Sequence, residues 1–202
     1  CGKTTLLKTI NRELYPVATP GTYLRVLGKD KWNVWKLRKQ IGVVSNDLHQ
    51  RYTPTTTALE VVVSGFHSSI GIHGTLAERI SQGEIDAAMK TLHELGAADL
   101  RDTELKYMSS GQQRRCLLGR ALVHDPATLI LDEPTTGLDF AASFDYLQRI
   151  RHLARVGRNI VMVTHHLNEI PPEVNRVVLL KAGQVVADGT KSEVLTDAIL
   201  SD

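Results

Sequence analysis

The absences in this chain narrow its chemistry first. It carries two cysteines in 202 residues, Cys1 and Cys116, too few for a disulfide framework or a zinc site, and a usage that suits a reducing compartment. Cys116 sits among apolar neighbours and is expected to be a small buried hydrophobe. Charge of one sign is also lacking. The 24 Lys and Arg against 22 Asp and Glu leave a net charge of +2, and the basic residues are scattered, so nothing calls for a nucleic-acid or other polyanionic partner. No apolar run approaches the length that spans a bilayer, so any membrane role has to come through a partner. His67, His73, His93 and His124 show no metal-ligand spacing, and hydrogen-bonded or solvated rings account for them. What is present is ordinary: 42% apolar and 23% charged residues, in a chain long enough for one domain with a large core and room for an inserted subdomain.

The informative stretch runs from Tyr107 to Asp139. Ser109, Ser110 and Gly111 form a small polar turn before a helix predicted from about Gln112 to His124. Ser109 lies three before Gln112 and Ser110 three before Gln113, so either pair builds a capping box. Such a helix start, with its free N–H groups and favourable dipole end, attracts phosphate. Leu117, Leu118, Ala121 and Leu122 share one face, and Asp125-Pro126 stops the helix. Thr128 to Leu131 is a short apolar run with the pattern of a strand buried on both faces. It ends in Asp132-Glu133-Pro134, two adjacent carboxylates at the strand end where α/β sheets hold their ligands.

Met108-Ser109-Ser110-Gly111-Gln112 resembles the signature motif of ATP-binding cassette (ABC) ATPases, most often Leu-Ser-Gly-Gly-Gln. Leu129 to Pro134 is similar to their Walker B strand, and Thr136-Gly137-Leu138-Asp139 to their D-loop. At the other end of the chain, Cys1-Gly2-Lys3-Thr4-Thr5 precedes Leu6, Leu7, Ile10 and Leu14 at helical spacing. Gly-Lys-Thr at a helix start matches the end of a phosphate-binding P-loop. Gly2 lets the backbone approach phosphate, Lys3 reaches the outer phosphates, and the Thr4 hydroxyl suits Mg²⁺. The resemblance adds Thr5 as a contact to the inner phosphate and makes Cys1 the fifth P-loop position. The chain then reads as a fragment cut inside that motif, lacking the strand before it, and weak ATP binding is expected of it.

The resemblance implies a single ABC ATPase domain over 1–202. Its fold class would be α/β: a P-loop NTPase core, a helical subdomain at about 48–110, and the remnant of an antiparallel β-subdomain. The alternating stretch Thr22 to Leu27, between the turns at Pro20-Gly21 and Gly28-Lys29-Asp30, is expected to supply such an antiparallel strand. Trp32 and Trp35 are expected to pack near its edge. Ile41 to Ser45 reads as a short buried strand. Asn46 follows it at the place of the family's Q-loop glutamine, which touches Mg²⁺ and the attacking water. It keeps the amide but is one methylene shorter, and it reads equally as a turn residue before Asp47.

Thr57 with Glu60, and Ser81 with Glu84, resemble capping boxes for helices over about 58–66 and 84–95, with Gly96 past the second end. Between them, Ile70 and Ile72 lie in a glycine-rich stretch. They read either as contacts to a transporter's coupling helices or as a packed loop. Glu60 to Ile72 also resembles cassettes described as molybdate-transport or photorepair-like. Ala141 to Val156 should be a helix presenting Phe144, Leu147, Ile150 and Leu153 on one face. Asn159 to Thr164 is a predicted buried strand ending at His165, which resembles the family's switch histidine; His166 is expected to point elsewhere, since successive residues alternate. Arg176 to Ala187 reads as a hairpin turning at Ala182-Gly183.

The function so implied is ATP binding and hydrolysis driving solute transport. Glu133 would act as general base or water-orienting carboxylate and His165 would hold the γ-phosphate. Thr4, and Asp132 through water, would hold Mg²⁺. Ser109, Ser110, Gly111 and Gln112 would bind an ATP seated on a second cassette, with Asp139 in the D-loop. The implied partners are a paired cassette or homodimer and a transmembrane permease, at the cytoplasmic membrane face. The alternative is a soluble ABC ATPase acting on nucleic acid or ribosomes.

Overall fold

The computed structural model describes residues 2–200; Cys1 lies outside them. In chain order the first elements are α1 (Lys3–Ile10), α2 (Val34–Arg38), β1 (Ile41–Val44), α3 (Asn46–Gln50), α4 (Ala58–Val63) and α5 (Gln82–Glu94). They are followed by α6 (Ser110–Leu122), β2 (Thr128–Asp132), α7 (Phe140–Arg155) and β3 (Asn159–Val163). The hairpin β4 (Arg176–Lys181) and β5 (Gln184–Thr190) and the short α8 (Lys191–Val194) come next.

The sheet order β1-β2-β3 is wholly parallel, with Val44 beside Leu131 and Asp132 beside Val163. A parallel strand needs cover on both faces, and β2 has it. Leu129 and Leu131 enter the main core with α4, α5, α6 and α7, while Ile130 faces a second cluster of Leu7, Val26, Leu37 and Ile41. This period-two alternation places α1 on one side of the sheet and α6 on the other. All three β2 side chains are essentially inaccessible, each contributing about 1.5–3 kcal/mol of burial. The helix–sheet contact is close at Gly42, where an added Cβ would lie 2.3 Å from the Ala121 carbonyl oxygen and 2.7 Å from Leu129 Cδ2.

Both expected capping boxes at Thr57–Glu60 and Ser81–Glu84 are formed. The first helix stops at Val63 rather than Phe66, and the chain turns until Ser68, whose φ is 51°. Ile70 and Ile72 are half-buried and pack on the main core, so the packed-loop reading describes them.

Four expectations are corrected. Thr22 to Leu27 is not a strand: only a bridge from Val26 to Lys29 forms, around Leu27 and Gly28 at positive φ. Among the described residues no strand lies beside this stretch to pair with it, and alternation without a partner does not hold a strand. The antiparallel β-structure is instead β4–β5, with its turn at Ala182 and Gly183, both at positive φ. Trp32 packs, its Nε1–H donating to Val26 O at 2.7 Å, whereas Trp35 is 62% exposed and stands against the Arg38 guanidinium. On α7 Leu147, Ile150 and Leu153 face the main core as expected, joined by Tyr146, but Phe144 is exposed. Finally, β3 is only half-covered: Ile160 and Met162 pack on the main core, while Val161 is 41% exposed.

Candidate active site

The carboxyl ends of the three strands, the start of α1 and the segments after β2 and β3 converge on one region. Gly2 is the N-cap of α1 at φ 90°, ψ 2°, a left-handed conformation that a side chain would strain. This is the N-terminal, positive end of the helix dipole, and no acidic residue occupies its first turn. This leaves the positive end of the helix available to anionic oxygen. The hairpin turn comes up beside it, with Gly183 Cα 3.9 Å from where a Gly2 Cβ would be.

Thr4 Oγ1 donates to Asp132 Oδ1 at a long 3.4 Å. Burial first, and then the neighbouring Glu133, push the Asp132 carboxyl above its usual range, against the Thr4 hydroxyl, which lowers it. A hydroxyl and a partly desolvated carboxylate facing one another are hard oxygen donors of the kind Mg²⁺ takes. Among the described residues no three of His, Cys, Asp and Glu converge on one point. A cation here would therefore draw on few protein atoms and on substrate phosphate, which is how Mg²⁺ is commonly held.

Glu133 leaves β2 at φ 47°, its N–H donating to Val163 O at 2.9 Å. Its Oε1 lies 3.1 Å from His165 Nδ1, and Thr136 Oγ1 donates to its Oε2 at 3.4 Å. The two residues singled out for catalysis are thus in direct contact. His166 does not point away as alternation predicts. Its ring centroid is 3.8 Å from that of His165, because its N–H donates to Thr164 Oγ1 at 3.0 Å and the extended chain folds into a turn there.

Asn46 begins α3 directly after the Ser45 cap, and its Oδ1 accepts a short hydrogen bond from Arg114 Nη2. The same nitrogen donates to Thr136 O at 2.9 Å. The Asn46 amide oxygen is therefore occupied by an arginine on α6. Arg114 is 3% exposed. The sequence carried a signal for it: Arg114, Leu117, Leu118 and Ala121 share the buried face of α6, so a cation stands on an apolar stripe and needs acceptors there. Thr135 and Glu169, which join the segments after β2 and β3, carried no such signal.

The signature turn makes its hydrogen bonds within itself. Of the two possible caps Ser109 is the one formed: its Oγ accepts from Gln112 N–H at 3.3 Å, and Gln112 Oε1 accepts from Ser109 N–H at 2.8 Å. The helix consequently starts at Ser110, two residues earlier than its pattern predicts. Both serines are exposed, and Gly111 lets α6 approach α7, since a Cβ there would be 3.1 Å from Ala142 Cβ. Asp139 caps α7 through Oδ1, which accepts from Ala142 N–H at 2.8 Å. A cavity of about 240 Å³ extends from Thr4 and Asp132 past Lys8, Asp47, Arg51 and Ile70. Lys8 Nζ and Asp47 Oδ2 pair across it at 2.5 Å.

The sequence pattern of the ABC transporter family matches residues 1–136. The chain belongs to the ABC transporter family. It is similar to the uncharacterized ABC transporter ATP-binding protein YlmA of Bacillus subtilis (strain 168), 39% identical over 205 residues that cover 99% of this chain and 75% of that protein. It is also similar to the hemin import ATP-binding protein HmuV of Rhodopseudomonas palustris (strain BisB18), 32% identical over 206 residues, covering 91% and 72% of the two. A solved nucleotide-free ATP-binding cassette from an ABC transporter shares the fold, with a TM-score of 0.79 and 21% identity, covering 100% of this chain and 80% of that one.

The cassette is accordingly an ATP-hydrolysing P-loop ATPase of a transport-linked family, with an inserted helical subdomain and an antiparallel β-subsheet. Use of ATP with Mg²⁺, pairing of cassettes and association with a permease are typical of that family. No helix among the described residues is long and apolar enough to cross a membrane.

Proposed function

We propose that this cassette hydrolyses ATP at a site centred on Glu133 and His165, as one of two cassettes arranged head to tail beneath a membrane permease. The Glu133–His165 contact at 3.1 Å carries the reading, because it joins a carboxylate after one strand to an imidazole after the next. Hydrolysis forms a bond from water oxygen to the γ-phosphorus and breaks its bond to the bridging oxygen, releasing ADP. Such a reaction needs an oriented water and charge neutralisation more than covalent help from the protein. Glu133 orients the water and receives its proton, and His165 holds that carboxylate through Nδ1 beside the place of the γ-phosphate. Lys3 and the first-turn amides of α1 hold the phosphate chain. Thr4 and Asp132 would hold Mg²⁺, which when bound neutralises charge on the β- and γ-phosphates.

The exposed signature turn, Ser109 to Gln112, makes no hydrogen bond to this group of residues, and its small side chains and helix-start amides suit a phosphate arriving from outside the subunit. The nucleotide it serves is therefore assigned to a partner cassette. The segment after β1, which carries Asn46, and the neighbouring helical subdomain are the surface assigned to a permease's coupling helices. The Asn46 amide links that segment to Arg114.

Glu133→Gln is the test. It keeps the shape of the side chain and removes the proton acceptor, so turnover should fall by about 100-fold or more. ATP should still bind, and an ATP-bound dimer should accumulate on size-exclusion chromatography with Mg²⁺. Turnover at the wild-type rate, or a species that stays monomeric with ATP, would overturn the proposal.

A further inference from the structure

We infer that Glu169, a residue outside the motifs that define the site, is the positioning residue that sets the Glu133–His165 contact. The inference rests on the catalytic reading above and adds to it what holds the pair in register. Glu169 ends the short turn Leu167–Glu169 that follows the two histidines. Its Oε2 accepts from Thr164 Oγ1 at 2.6 Å, and its Oε1 accepts a short hydrogen bond from Thr135 Oγ1. Thr164 is the residue before His165, and Thr135 is two residues after Glu133. One carboxylate therefore spans the two segments that carry the catalytic pair, with one oxygen committed to each.

The chemistry of this clamp is specific. A carboxylate is acceptor-only and each threonine hydroxyl has a single proton; for Thr164 the Glu169 oxygen at 2.6 Å is much closer than its other acceptor, His166 O at 3.5 Å. Hydrogen bonds to a carboxylate are also stronger than neutral ones. Among the described residues no Lys, Arg or His forms an ion pair with Glu169, so both of its oxygens serve the threonines. The Thr135 end is buried. The Thr164 end passes the constraint on, because Thr164 Oγ1 also accepts from His166 N–H at 3.0 Å, which fixes the bend at the histidines. The backbone bond from Glu133 N–H to Val163 O ties the same two segments one step closer to the sheet. Strand pairing thus sets their separation, and Glu169 sets the rotation of the residues beyond it. His165 and Glu133 are themselves half-exposed, so their own surroundings do not lock their geometry. A misplacement of about 1 Å costs up to 100-fold in rate.

The measurement is ATP turnover and ATP binding for Glu169→Leu, Glu169→Gln and Thr164→Val, each alone and in a His165→Ala background. Glu169→Leu should lower kcat by about 10- to 100-fold with ATP affinity within about 2-fold of wild type. Glu169→Gln keeps an oxygen acceptor for one threonine and should recover part of that loss. Thr164→Val, which leaves the charge in place, should reproduce the loss in a protein whose stability is little changed. In the His165→Ala background none of the three should lower the rate further, since the geometry they set no longer matters. Equal losses with and without His165, or wild-type kcat in both Glu169→Leu and Thr164→Val, would overturn the inference. Wild-type turnover in His165→Ala alone would instead sink the catalytic reading on which it rests.

Discussion

Glu133 is both the residue at which β2 ends and the carboxylate that touches His165. Its φ of 47° lies where side-chain-bearing residues pay about 1–2 kcal/mol. Glycine would be the more stable choice at that turn, and a carboxylate there is what the proposed mechanism needs. Glu133→Gly should therefore abolish hydrolysis while leaving stability unchanged or raised by up to about 1 kcal/mol, the gain being trimmed by the entropy of glycine. Urea unfolding checks it, and a loss of more than 1 kcal/mol would contradict the assignment. Asp132 is set differently: burial raises its carboxyl above the ordinary range, so its ionised form costs the fold free energy. Asp132→Asn should therefore gain stability at neutral pH and lose Mg²⁺ affinity, and the stability gain should fade as pH drops through the raised pKa.

At the level of elements, the sequence announced those whose cause is local. β2 was legible because a four-residue apolar run ending in two carboxylates has few other homes, and β4–β5 because Ala182-Gly183 punctuates two apolar runs. The helix boxes at Thr57 and Ser81 were legible for the same reason. Thr22 to Leu27 was misread because alternation describes a strand's faces and says nothing of its neighbours. The links that complete the site were illegible, since Arg114 meets Asn46 across 68 residues and Thr135 meets Glu169 across 34. Only Arg114 left a trace, as a cation on a buried stripe. The signature helix offers a clean test of an ambiguity that pattern alone left open. Ser109→Ala should cost about 1 kcal/mol of stability, and Ser110→Ala almost none; the reverse order would place the cap, and the start of the phosphate-facing turn, one residue later.

Across the whole molecule, the motifs sort into two groups that no hydrogen bond joins among the described residues. Thr4, Asp132, Glu133 and His165 gather around the strand ends, joined by the bonds from Thr4 to Asp132 and from Glu133 to His165. Ser109 to Gln112 close on themselves beside α7, where Phe140 and Phe144 stand exposed. The proposed head-to-tail pair would let a second cassette bring its signature turn to the nucleotide held by this one. The most direct measurement mixes two inactive variants, Lys3→Ala, which loses its own nucleotide grip, and Ser109→Arg, which blocks its signature turn. Each alone should be inactive. In the mixture, one intact site forms in every mixed pair, so turnover should recover to about a quarter of wild type, the share set by random pairing and one working site in two. A mixture as inactive as its components would show that the two groups of residues do not serve one shared nucleotide, and would contradict the account.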